Sequence, residues 1–212
     1  MATEVKNNDF SNIIFERKSI RLYNEDVKIS HEEMLEMIQK ATTAPSSVNM
    51  QPWRFVIVES PEEKQKLKPL IRFNTPQNET SSAMILIFGD MECYEYGEEI
   101  YNQAVEENKM SAEVRDKQLE AIIPYYKNLS RQKMNDILKI DSGLFAMQFM
   151  LVARSHGYDT CPIGGFEADQ LAEAFGLDKN RYVPAMILSI GESMDDGYQS
   201  VRLKADKLTT FK

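Results

Sequence analysis

Apolar positions along the chain fall into two patterns. Ala83 to Phe88, Phe55 to Val58 and Ala185 to Ile190 are short, nearly continuous apolar runs, and Gly89-Asp90 closes the first. The first reads as a strand buried on both faces, Phe55 to Val58 as a short β-rich strand and Ala185 to Ile190 as a last buried strand. Elsewhere the apolar residues repeat at helical spacing. Met34, Ile38 and Ala41 follow Ser30-His31-Glu32-Glu33, where Ser30 as N-cap and Glu33 at N3 form a capping box, so a helix is predicted over 31–43. A first helix begins near Phe10 and carries Ile13, Ile14 and Phe15. Ser60-Pro61-Glu62-Glu63 opens another, with proline at N1.

The strongest helical signal runs from Asp141 to His156, with Gly157 as its left-handed cap. Between Leu144 and Ala153 only Gln148 is polar. A helix apolar nearly all round is expected to be buried on every side, which in a chain of this size points to a subunit interface as well as a core. Residues 91–139 differ in character. They are acidic up to Glu107 and basic from Lys127, with tyrosines at 94, 96, 101, 125 and 126, and read as a helical surface excursion interrupted near Pro124. Tyr158 to Thr160 is predicted as a short strand and Cys161 to Phe166 as a tight loop. A helix carrying Leu171, Ala174 and Phe175 then ends at Gly176. The tail 192–212 is polar apart from Val201, Leu203, Leu208 and Phe211, and such tails fray unless they dock. No repeat and no Gly/Ser/Pro linker divides the chain, so 1–212 reads as a single domain. Without regular βαβ alternation the expected class is α+β.

Composition narrows the functional classes. Lys and Arg total 25 against 33 Asp and Glu, a formal charge of −8, which argues against nucleic acid or an anionic membrane as the main partner. No segment approaches the length of a membrane span, and Ile13-Ile14-Phe15 is cut off by Glu16-Arg17-Lys18 before it could serve as a signal sequence. Two cysteines, Cys93 and Cys161, fit a reducing compartment, so a soluble cytoplasmic protein is expected.

Several chemistries are missing. There is no GxGxxG fingerprint, P-loop or HExxH, and His31 and His156 are too few for a histidine metal site, so none is expected. His156 and Cys161 could be imagined as a thiol–imidazole pair, but a helix-terminal histidine beside a loop cysteine is the plainer reading. Demanding chemistry would then fall to a cofactor.

Four segments carry the positive signal. Arg17-Lys18-Ser19-Ile20-Arg21 puts three cations and a hydroxyl in five residues, although a solvated helix end looks the same. Between Pro45 and Pro52, Ser46, Ser47, Asn49 and Gln51 could serve a heterocycle edge or a ribityl chain, or merely cap a turn. Gly164-Gly165 would let backbone approach a flat ligand. Arg202 and Lys204 add two cations to the tail. Trp53 and Phe55 read as core.

In this order the segments are far more specific than any one alone. Arg17–Arg21 followed by Ala44-Pro45-Ser46-Ser47-Val48-Asn49-Met50-Gln51-Pro52-Trp53-Arg54-Phe55 strongly resembles the start of the nitroreductase family of flavin enzymes. His156-Gly157-Tyr158 leading into Pro162-Ile163-Gly164-Gly165-Phe166 resembles its second flavin loop, and Arg202–Lys204 its C-terminal phosphate-binding pair. The resemblance implies a central, mostly antiparallel sheet flanked by helices in an intertwined homodimer, with the tail docked on the partner subunit. It implies FMN at the interface and an activity that passes electrons from NADH or NADPH, in a ping-pong cycle, to nitroaromatics, quinones or related small acceptors. The reactive atom would be flavin N5, with no catalytic side chain required. A flavin-binding carrier without turnover is the alternative. Arg17, Lys18 and Ser19 would hold the phosphate and ribityl chain, and Arg21 would lie at the N1/O2 edge. Pro45, Ser46, Ser47, Asn49 and Gln51 would reach the flavin from the neighbouring subunit. Backbone at Ile163, Gly164 or Gly165 would face N5, while Arg202 and Lys204 would close over the phosphate. One of Asn74, Gln77 and Asn78 would meet the pyrimidine edge. Gly164 stands where many relatives carry glutamate.

Overall fold

The computed structural model describes residues 5–212. Among them, β1 (Trp53–Val58), β2 (Ala83–Asp90), β3 (Asp159–Ile163) and β4 (Tyr182–Gly191) form one sheet in the order β1-β2-β4-β3, every neighbouring pair antiparallel. The run read as buried on both faces is the central strand β2, which is buried along its whole length. Its alternation divides the core: Ile85 and Ile87 face one layer, Met84, Leu86 and Phe88 the other. Pro184 meets Phe88 beside a register shift at Ile87/Phe88, where a missing N–H is tolerated.

On the first face lie α2 (His31–Ala41) and α7 (Arg131–Ser155), which contribute Met34, Met37, Phe145, Phe149 and Ala153 to a cluster with Trp53. Trp53 and Phe55 both pack against Phe145, so both are core as expected. On the second face lie α3 (Pro61–Leu67), α4 (Thr75–Thr80) and α8 (Ala168–Ala174), with Leu67 and Leu171 in the core. The serine caps form as read, the Ser30 and Ser60 hydroxyls accepting from the N–H groups of Glu33 and Glu63, while the Glu33 carboxylate turns to His156 and Tyr158.

The structure corrects three expectations and refines a fourth. First, Cys161 to Ile163 belong to β3 and not to a loop; on an edge strand Pro162 costs little, because the outer ladder is not continued there. Second, residues 131–139 are the opening turns of α7. Ser130 caps it by accepting from the Lys133 N–H, and Met134 and Leu138 bury at i, i+4 spacing among charged neighbours that hid them. A Cβ on Gly89 would lie 2.7 Å from Leu138 Cβ, so glycine permits this crossing. Third, α6 (Ala112–Lys127) continues through Pro124 to Lys127, and Asn128 closes the helix by donating from backbone and side chain to the Pro124 carbonyl (3.2 and 2.8 Å). With α5 (Gly97–Glu106) it is more than surface structure: Tyr101 and Tyr126 are buried with Met50, Cys93, Met134 and Leu138. Fourth, the single chain does not itself bury α7 on every side, and the uncovered part is where the expected subunit interface would lie. Ile140, Leu144 and Met147 are 65%, 43% and 42% exposed, an apolar row at i, i+4, i+7 that one chain leaves open.

Candidate functional site

The basic segment follows α1 (Phe10–Glu16) and lies along the free edge of β3. Ser19 bridges Thr160 in parallel register, and the Ile20 N–H donates to the Thr160 carbonyl at 3.1 Å. In extended backbone alternate side chains face opposite ways. Arg17, Ser19 and Arg21 therefore share one side, where Gln77 of α4 and Cys161 of β3 also lie. Burial pushes the Cys161 thiol above its ordinary value, offset in part by Gln77, Arg21, Ser19 and Arg17. Two buried polar atoms on this wall have no partner: Arg17 Nη1 and Gln77 Oε1. A buried guanidinium nitrogen without an acceptor is costly, and the usual resolution is a ligand.

Lys18 departs from the expectation. It turns to the other side, into a cavity of about 150 Å³ with Glu16, Asp159, Asp195 and Asp196, so strand alternation separates its side chain from Arg17 and Ser19. Arg21 is steered by a residue that sequence reasoning missed. Asp195 accepts from the N–H groups of Arg21 and Leu22 (3.4 and 3.0 Å) and Gly197 (2.7 Å), and the Arg21 guanidinium sits 4.4 Å over the Tyr198 ring. These residues line a cavity of about 410 Å³. No sequence pattern could have paired positions so far apart.

At the exit of β3, Ile163 is buried in the core and offers only its backbone. No atom lies within 4 Å of where a Gly164 Cβ would be, and a Gly165 Cβ would sit 3.7 Å from Asn74 Nδ2. Asn74 donates to the carbonyls of Ile71 (2.9 Å) and Gly165 (3.4 Å) and accepts from Gln77 Nε2 (3.3 Å). Asn78 instead donates to the Lys64 carbonyl (2.9 Å). Of the three candidates, Asn74 and Gln77 stand beside the glycines and the basic segment.

The Pro45–Gln51 segment lies elsewhere. It leads into β1, at the opposite edge of the sheet from β3, so three strand spacings of roughly 14 Å intervene. Val48, Asn49 and Gln51 all have positive φ (44°, 56° and 45°), each costing on the order of 1–3 kcal/mol in a residue with a Cβ. Asp141 Oδ2 accepts from the Ser47 N–H (3.0 Å), Tyr126 donates to the Ser47 carbonyl (3.3 Å) and Tyr101 to the Val48 carbonyl (3.1 Å). Ser46 Oγ accepts from the Gln51 N–H, and Arg54 donates to the Gln51 carbonyl (both 3.0 Å). Pro45, Val48 and Asn49 remain exposed, and a cavity of about 320 Å³ opens beside Gln51, Arg54 and Tyr96.

Arg202 and Lys204 stay clear of both segments. Residues 198–212 are exposed throughout, α9 (Ala205–Leu208) included, and Arg202 reaches only Ser200 Oγ and the Val201 carbonyl. The tail is therefore held on its own chain only as far as Asp195 and Tyr198, and beyond them Phe211 is 93% exposed.

The imagined thiol–imidazole pair is absent. Lys40 and Glu33 engage the two ring nitrogens of His156 (2.9 and 3.2 Å), while Cys161 has Gln77 and Ser19 as neighbours. Cys93 is pushed up to about 12, mainly by burial and then by Asp90. At pH 8 its thiolate fraction is on the order of 10⁻⁴. A disulfide-exchange reagent at that pH is expected to label neither cysteine in the folded protein and both in urea. Rapid labelling of the native chain would contradict the burial described. Among the described residues no group of side chains could hold a metal ion, and no helix is long and apolar enough to cross a membrane.

The Nitroreductase family model matches residues 14–192, and the chain belongs to that family. It is 53% identical over 208 residues to the Bacillus subtilis protein named "Putative NAD(P)H nitroreductase YdgI", covering 98% of this chain and all of that one. It is 35% identical over 206 residues to the CLA biosynthesis enone reductase of Lactiplantibacillus plantarum, covering 97% and 95% of the two. The crystal structure described as "a putative nitroreductase in complex with FMN" from Exiguobacterium sibiricum superimposes with a TM-score of 0.95 at 54% identity, covering 99% of this chain and all of that one.

Proposed function

We propose that this protein is an FMN-dependent oxidoreductase that passes electrons from NAD(P)H to small electron-poor acceptors, with each flavin held between two copies of the chain. One observation carries the reading: Arg17 Nη1 and Gln77 Oε1 are buried without partners on a wall whose glycine floor is open at Gly164. The residues fit FMN. Its phosphate suits Arg17 and Ser19, and its pyrimidine edge, with donors and acceptors alternating, suits Arg21, Asn74 and Gln77. Gly164 and Gly165 would bring backbone N–H groups to the N5 side. The complex of the Exiguobacterium relative with FMN supports this assignment.

When bound, FMN supplies hydride acceptance and donation at N5. The chain's own work is to bind, orient and leave that atom accessible. Arg17 neutralises phosphate charge, and Arg21 places a cation where negative charge gathers on the ring, which favours reduction. The open position at Gly164 leaves room for donor and acceptor to use one face in turn, as a ping-pong cycle requires. Nitroaromatics, quinones and enones share the electron-poor character such a site selects; the enone reductase relative acts within this class by name.

The opposite placement of the two cofactor segments argues for a homodimer. Pro45–Gln51 of a second copy would complete the wall begun by Arg17, Gln77 and Gly164 of the first. Arg202 and Lys204 would reach the phosphate as the exposed tail docks, which gives Val201, Leu203, Leu208 and Phe211 a surface to cover. The same reading keeps 1–212 as a single domain working in the cytoplasm.

Purified protein is expected to be yellow, to release FMN and not FAD on denaturation, and to oxidise NADH or NADPH when menadione or a nitrofuran is supplied. FAD in the released fraction, or a protein that ignores added FMN, would overturn the cofactor assignment. Bound FMN without NAD(P)H turnover would favour the flavin carrier instead.

A further inference from the structure

We propose that Asp141, Tyr101 and Tyr126 are positioning residues that hold the Ser46–Gln51 turn, with its left-handed Val48, Asn49 and Gln51, so that helices α5, α6 and α7 set the geometry of one wall of the cofactor site. The link to FMN rests on the function proposed above; the clamp itself stands on the geometry of the chain.

Local sequence accounts for only part of this conformation: Asn49 tolerates positive φ and Ser46 Oγ accepts from the Gln51 N–H, but Val48 has no such reason. Val48 is β-branched, the type least suited to a φ of 44°, and the segment contains no glycine. Such backbone persists only where its surroundings over-determine it. Here the Ser47 N–H is claimed from elsewhere in the chain by Asp141, the Ser47 carbonyl accepts from Tyr126 as well as from the local Met50 N–H, and Tyr101 takes the next carbonyl. The side chain of Met50 adds a fourth anchor, buried with Cys93, Tyr101 and Tyr126. Tyr101, Tyr126 and Asp141 are themselves buried.

The hydrogen bonds from Asp141, Tyr101 and Tyr126 all reach backbone groups. They leave the outward side chains free for a ligand, and Asn49 is exposed at the tip. A carboxylate is an expensive way to fill the position of Asp141 if only packing were needed, since burial raises its pKa and the Ser47 N–H offsets this only in part. A group kept at that cost for one N–H is suited to fixing where that N–H points. Residues 97–127, which carry no cofactor motif, would therefore tune the flavin site through Ser47 and Val48 without touching the flavin.

The test compares wild type with Tyr101→Phe/Tyr126→Phe, Asp141→Ala and Asp141→Asn, and uses Tyr125→Phe at an exposed ring as control. Amide exchange of residues 46–51 is measured in the apo protein and FMN affinity by titration. Removing the two hydroxyls is expected to speed exchange and to weaken FMN binding, each by about tenfold, with the thermal midpoint near wild type. Asp141→Asn keeps an acceptor oxygen and is expected to recover most of the affinity lost in Asp141→Ala. Wild-type exchange and affinity in the double variant would overturn the proposal. So would a lowered thermal midpoint with FMN affinity intact, the signature of packing alone. Should wild type itself fail to bind FMN, the functional reading falls, and exchange in the apo protein still decides the clamp.

Discussion

Leu144→Glu combined with Met147→Glu is expected to turn a dimer of 24.4 kDa chains into a monomer that loses FMN on gel filtration. The two side chains belong, with Ile140, to the apolar row of α7 that the single chain leaves open. Burying each large apolar side chain contributes about 1.5–3 kcal/mol, and a charge placed there reverses the sign of that term. The loss of flavin follows from the sheet order. β1 and β3 are opposite edges, so under the proposed function the segments before β1 and after β3 would serve one flat ligand across two copies. Light scattering with flavin absorbance checks both halves of the expectation. Wild type at the single-chain mass at micromolar concentration would sink the dimer, and a monomeric variant that keeps FMN would sink the shared site.

Arg17→Ala is expected to weaken FMN binding by roughly 10–150-fold, the equivalent of one charge-assisted hydrogen bond of about 1.5–3 kcal/mol. The apo protein should be no less stable, because Arg17 Nη1 has no partner to lose and its removal relieves a buried donor. That combination, weaker binding with undiminished apo stability, is what separates a ligand-binding arginine from a structural one. Lys18→Ala is the control: its side chain faces Asp159, Asp195 and Asp196, and it should change FMN affinity less than threefold, the size of a surface charge effect. Equal losses in the two variants would show that alternation along this segment does not sort its cations. FMN titration by fluorescence and thermal unfolding of the apo chains supply the measurements.

Much of the molecule was legible before any coordinates. The strand runs, the serine caps at Ser30 and Ser60 and the core role of Trp53 are consequences of local composition, and they appear as read. Errors fell where tertiary contacts overrule local signals. Pro124 reads as an interruption, yet the helix continues to Lys127 and is closed by Asn128 at the Pro124 carbonyl. Met134 and Leu138 lie among charges in the sequence, and their burial with Met50, Cys93, Tyr101 and Tyr126, with Leu138 also against Gly89 of β2, shows residues 131–139 as part of α7.

The site divides in the same way. Sequence by itself supplied the residue types: cations at Arg17 and Arg21, a polar loop between Pro45 and Pro52, a double glycine at 164–165 and cations in the tail. Their order along the chain marked the family. Tertiary structure decided which of them meet. Strand alternation beside β3 turned Lys18 away from Arg17. Pairing across the chain chose Asn74 and Gln77 over Asn78, brought Asp195 to Arg21, and set Asp141, Tyr101 and Tyr126 around Ser47 and Val48. A residue's chemistry is local and can be read one position at a time. Its partners are fixed by packing between distant segments, and no local pattern along the chain encodes that.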